Sequence, residues 1–166
     1  MIQIPLINKK KYMIWRKIEK IPFENVDKCL KHLRSKAVCS EWIENIFKNK
    51  KKISYKKYKN IEIHRINVKK LGFKKPTTLK KIYSKFGSKY QTIPPELSLY
   101  LRLIYKNQPT GEWLRIAVNF KSMVDTDGVP HLPKLGKALG KNFIETYWSY
   151  PGAIFHPHND FLVMKK

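Results

Sequence analysis

PPELSLYLRLIYK, residues 94–106, reads as a helix with almost no polar face. Pro95 suits the first helical turn, where its missing N–H removes no bond, and Glu96 complements the positive end of the helix dipole. Leu97, Leu99, Tyr100, Leu101, Leu103, Ile104 and Tyr105 leave only a narrow polar strip at Ser98, Arg102 and Lys106. A helix this apolar belongs in a core. The sequence beyond it turns strand-like: EWLRIAVNF (112–120), a DTDG turn (125–128), NFIETYWSY (142–150) and FLVMKK (161–166). Between the turn and residue 142, Pro130, Pro133, Gly136 and Gly140 predict a loop. The expectation is an antiparallel sheet packed on the 95–106 helix.

Upstream, residues 2–21 mix β-branched residues with lysines and predict one or two short strands. A helix fits residues 26 to 37, capped by Asn25, with Val26, Cys29, Leu30, Leu33 and Ala37 on one face. Ser40 caps a second helix whose apolar side is Trp42, Ile43, Ile46 and Phe47. In outline the pair is a helix-turn-helix, but Glu41 and Glu44 on the second helix would repel phosphate, so a structural hairpin is expected. NIEIHRINV, residues 60–68, predicts a strand with a bulge near His64. Thr77 or Thr78 caps a short helix with Leu79, Ile82, Tyr83 and Phe86 at helical spacing, closed by Gly87. The predicted class is α+β in one domain, 1–166. Its N-terminal half is helical and basic, and its central apolar helix packs on a C-terminal antiparallel sheet.

Charge points to the partner. The chain of 166 residues carries 35 Lys+Arg against 12 Asp+Glu, a formal net of +23. The cations are 30 Lys to 5 Arg, beside 18 Ile and 10 Asn, a bias that drift in an AT-rich genome produces. Drift would enrich Glu as well, yet only eight Glu and four Asp occur. Residues 1–90 hold 26 Lys+Arg and 6 Asp+Glu, a net of +20; residues 91–166 hold 9 and 6, a net of +3. Such one-sided self-repulsion is relieved by an anionic partner, and a basic patch of this kind reads as nucleic-acid binding, to DNA or RNA. No apolar run approaches a membrane span, and the lysines follow rather than precede the first apolar residues, the reverse of a secretory signal. Two cysteines, Cys29 and Cys39, are too few for a disulfide framework or a four-ligand zinc site. The expectation is a cytoplasmic protein with no cofactor and no membrane partner.

The expected interface spans roughly residues 48–90. Lys50, Lys51, Lys52, Lys56 and Lys57 surround Tyr55 and Tyr58, whose rings can stack on unpaired bases or belong to the core. Arg65 follows on the next strand. KKLGFKKPTTLKKIYSKFGSKY, residues 69–90, then supplies Lys69, Lys70, Lys74, Lys75, Lys80, Lys81, Lys85 and Lys89 without one acidic residue. Only Arg16, Arg34 and Arg65 fall in the basic half, so recognition is expected through backbone and shape rather than bidentate base reading.

Two motifs raise other chemistry. HPHND, residues 156–160, resembles the H-x-H-x-D metal motif of metallo-β-lactamase-fold hydrolases. Phe161 stands where that family needs a histidine, and too little chain follows for its remaining ligands, so a polar turn is expected. KLGKALGKNFIETYW, residues 134–148, resembles the part of RelE/HigB-type ribonuclease toxins in which a Leu-Gly stretch precedes a strand bearing a glutamate. The basic, arginine-bearing strand that should follow is not evident, so this adds a nuclease only as an alternative. Such a nuclease would draw catalytic groups from His64, His156, His158 or Glu145. A third possibility is a subunit of a larger nucleoprotein assembly, with Trp113, Trp148 and Tyr150 as protein anchors in the less charged half.

Overall fold

The last strand of the chain runs through the middle of the sheet. The computed structural model describes residues 13–166, so the part of the expected N-terminal strands before Met13 lies outside the described residues. The strands are β1 (Met13–Lys20), β2 (Val38–Cys39), β3 (Lys59–Asn67), β4 (Thr77–Thr78), β5 (Tyr90–Gln91), β6 (Trp113–Ile116), β7 (His131–Ala138), β8 (Lys141–Trp148), β9 (Ile154–Phe155) and β10 (Asp160–Lys165). The helices are α1 (Val26–Arg34), α2 (Glu41–Phe47), α3 (Leu79–Ser84) and α4 (Leu97–Ile104).

One eight-stranded sheet runs in the order β1-β3-β10-β6-β7-β8-β2, with β5 also paired to β10. β4 and β9 form a separate two-stranded sheet. Most pairs are antiparallel, but β10 runs parallel to β6 and β2 parallel to β8. The expected division into a helical N-terminal half and a C-terminal antiparallel sheet is therefore incorrect: a single mixed sheet interleaves strands from both halves. The cause is β10, in which Phe161, Leu162 and Val163 are all buried. A continuous apolar run needs cover on both faces and neighbours on both edges, and β3 from the basic half supplies one of those edges.

Local signals fared better than the pairing. Asn25 caps α1 by accepting from the Lys28 N–H at 3.0 Å, Ser40 caps α2 through Ile43, and Thr78 caps α3 through Lys81. α4 forms within the expected span and buries even its polar strip at Ser98 and Arg102. β3 is unbroken, and the irregularity expected near His64 lies in its partner, where the register slips between Ile14 and Arg16 opposite His64 and Ile63. α2 packs on β8, and its Glu44 holds Arg34 of α1, so the pair is a docked hairpin.

The predicted loop before residue 142 is in fact β7. Pro133 disguised it. The His131 N–H turns away from β8 to the Met123 carbonyl at 2.8 Å, and strand alternation turns the Pro133 nitrogen the same way. On that side β6 pairs only with residues 134–136, so the missing N–H breaks no ladder bond. Gly136 has a second reason to be there. A Cβ at this position would lie 2.2 Å from the Trp113 ring, which packs against the glycine from β6. The DTDG turn forms as expected: the Asp125 carboxylate accepts from the Asp127 and Val129 N–H groups and holds the buried His131 at 2.7 Å. Among the described residues no helix is long and apolar enough to cross a membrane.

Candidate nucleic-acid interface

Four of the expected contact residues are engaged by the fold itself. Tyr55 is 1% exposed, and its hydroxyl donates to the Glu96 carbonyl at 2.8 Å. Tyr58 donates to the Glu96 carboxylate, and burial drives both phenols to higher pKa. These rings anchor the start of α4, so the choice between stacking platform and core goes to the core. Lys50 is half-buried, donates to the Ser122 carbonyl at 2.8 Å, and has its pKa lowered by that burial. Arg65 is neutralised between Asp160 at 2.7 Å and Glu112 at 3.1 Å.

The other expected lysines stand outward. Lys51, Lys52, Lys56 and Lys57 occupy exposed turns on either side of Tyr55. Lys69 and Lys70 lie on a short 3-10 turn ended by Gly72, whose φ of +107° is one that side-chain-bearing residues rarely adopt. Lys74 and Lys75 follow in a loop, Lys80, Lys81 and Lys85 stud α3 and its C-terminal end, and Lys89 precedes β5; all are exposed. Leaving Lys89 aside, none forms an ion pair among the described residues. α3 keeps Leu79 and Ile82 in the core, while Tyr83 stacks on Phe120 and donates to the Val118 carbonyl at 2.8 Å. Its lysines therefore face away from the anchored side.

The groups considered for catalysis fall in different places. His64 on β3 is buried, with Nε2 at 2.6 Å from Glu62 and Nδ1 at 3.3 Å from the Tyr90 hydroxyl. Glu62 and His64 share one face by strand alternation, so a Glu-x-His pair was visible in the sequence, though its tyrosine was not. The His64 hydrogen bond chiefly, and Lys165 and Lys17 besides, hold the Glu62 carboxyl below its usual range. Glu145 sits on β8 at 3.8 Å from Lys134. His156 and His158 stack on each other, ring centroids 5.6 Å apart, in an exposed turn closed by Asn159, which accepts from the His156 N–H at 2.8 Å. Asp160, the last residue of HPHND, is held by Arg65 and by Asn67 at 2.7 Å. The motif is thus a turn entering β10. Of the proposed protein anchors, Trp148 is 62% and Tyr150 47% exposed, while Trp113 is half-buried against Gly136.

Compared with known proteins, the chain matches no family model, no curated protein and no solved structure.

Proposed function

We propose that this protein binds nucleic acid through the lysine surface formed by residues 51–57, 69–75 and α3. The observation that carries the reading is the display of these lysines on turns and one helix face with no ion-paired carboxylate among the described residues, on a chain of net charge +23. Isolated surface lysines bring little stability, whereas each one placed on a phosphate releases a counterion. The loss of Tyr55 and Tyr58 as stacking groups narrows this surface to phosphate contacts, which give affinity without sequence information.

Titration of a short duplex and a short single-stranded RNA across a salt series tests the reading. The slope of log affinity on log salt should be steep, about −0.9 per phosphate neutralised on duplex DNA. Replacing Lys69, Lys70, Lys74 and Lys75 together by Gln should flatten it by about three units. A slope near zero in the native protein would sink the proposal.

A second reading, a nuclease, is supported by the Glu62–His64–Tyr90 arrangement. Glu62 is a carboxylate oriented by an imidazole and flanked by Lys17 and Lys165, a grouping whose lysines would meet a phosphate but whose carboxyl, held below its usual range, is a weak base. Purified protein is incubated with labelled RNA and single-stranded DNA, with and without divalent metal. Cleavage abolished by Glu62→Gln supports this reading; intact substrate at high protein concentration rules it out.

A further inference from the structure

Arg65 and Arg115 line one cleft of about 310 Å³ and differ in what they hold. Arg65 is paired with Asp160 and Glu112. Arg115, on β6, makes no hydrogen bond or ion pair through its guanidinium among the described residues, and its Nε is buried with no acceptor. Its charge centre lies 5.9 Å from the Tyr147 ring and 5.6 Å from that of Phe155, so aromatic rings support it, while the Asp160 carboxylate, paired with Arg65, acts on it only from beyond ion-pair distance. Burial lowers its pKa. The buried Nε is out of a ligand's reach, but the terminal nitrogens, which make no hydrogen bond among the described residues, belong to a planar group lining an open cleft and match an oxyanion.

The surroundings select the anion. The cleft is also lined by Trp113 and His158, and the turn bearing His158 is joined to the lysine surface by backbone bonds. Val68 N–H donates to the Asn159 carbonyl at 3.0 Å and Lys69 N–H to the Pro157 carbonyl at 2.9 Å. Exposed Lys69 and Lys70 thus stand at the rim, and a strand lying on the lysines has a continuous path into the cleft. Trp113 lies against Gly136 with the Lys134 ammonium 4.6 Å from its ring centroid, a flexible cation that an arriving base can displace.

We infer that this cleft is a phosphate subsite for a single nucleic-acid strand, with Arg115 holding the phosphate fork-to-fork and Trp113 receiving the adjoining base. The inference rests on the nucleic-acid reading and adds to it the one place where the strand is gripped rather than merely attracted. It is tested on the intact protein by nitrogen–proton correlation spectra during titration with a nucleoside monophosphate, the parent nucleoside, inorganic phosphate and acetate. The Arg115 Nε–H and Trp113 indole signals should both move with the monophosphate. Phosphate alone should move the first, and the nucleoside and acetate should move neither strongly. Arg115→Met should weaken single-strand binding about tenfold while preserving the steep salt slope of the lysine surface. Arg115→Lys, which keeps the charge and loses the fork, should recover only part of the affinity.

If long nucleic acid binds with a steep slope but the monophosphate leaves both signals still, the subsite is refuted and the broader reading stands. If nothing anionic binds, both fall. Acetate acting as strongly as the nucleotide would overturn the phosphate assignment.

Discussion

Two arginines, one buried and one half-buried, separate what holds this molecule together from what we propose is held ready for a ligand. Arg102, on α4, is 1% exposed. One of its terminal nitrogens donates to the Gln108 side chain at 2.6 Å and to the Gly136 and Phe143 carbonyls at 3.1 Å, and the other donates to the Tyr105 carbonyl. It pins α4 to facing residues of β7 and β8, and burial pulls its pKa down to about 10. Arg115, on β6, is half-buried and carries no such set of acceptors among the described residues. Both have a bare buried Nε. In Arg102 that is one loose end in a satisfied network, while the Arg115 guanidinium makes no hydrogen bond or ion pair among the described residues. Burial alone therefore does not mark a structural arginine; its acceptors do.

The largest expected effect is at Arg102. Arg102→Met leaves the carbonyls of Gly136, Phe143 and Tyr105 without this donor inside the core, and should lower unfolding free energy by about 3–5 kcal/mol. Urea denaturation measures it directly. Arg115→Met should do the opposite to the balance of properties. Removing a half-buried cation that makes no ion pair among the described residues should leave stability within about 1 kcal/mol of the native value, or raise it, while single-strand affinity falls about tenfold. If the two variants lose stability alike, the distinction between them fails and Arg115 belongs to the scaffold.

The same contrast explains what was legible in the sequence. Caps and apolar arcs are local, so Asn25, Ser40 and Thr78 announced their helices, and Leu79 and Ile82 announced the buried side of α3. Strand order is not local. Nothing in residues 59–67 says that β3 will lie against residues 160–164, nearly a hundred positions away, and β7 was hidden because Pro133 signals a break unless its unpaired edge is known. The lysine surface could be read from composition, since charge without carboxylates survives any folding. Tyr55 and Tyr58 could not be assigned, because the Glu96 partner that claims both lies about forty residues on. Arg115 was the least visible of all: the role proposed for it rests on partners it lacks among the described residues, and only a folded chain shows which partners are lacking.

The smallest effect sharpens the comparison at the hairpin that Arg102 pins. β7 and β8 are joined by Leu139 and Gly140, with φ of +50° and +72°. Two consecutive left-handed residues make the turn that suits strand twist, and that turn prefers Asn-Gly. Leu139 meets neither preference: it is strained and 95% exposed. Leu139→Asn should stabilise the fold by about 1 kcal/mol, because asparagine tolerates the left-handed region and no apolar contact is lost. In thermal unfolding this is a rise of about 2–4 °C for a chain of this size. Single-strand affinity should not change, since the turn lies beyond the pairs that frame Trp113 and Gly136. A gain in stability with unchanged binding makes the hairpin scaffold, as Arg102 implies. A loss of binding instead would mean that the strained leucine touches the ligand, and the boundary between scaffold and site would have to be redrawn through β7 and β8.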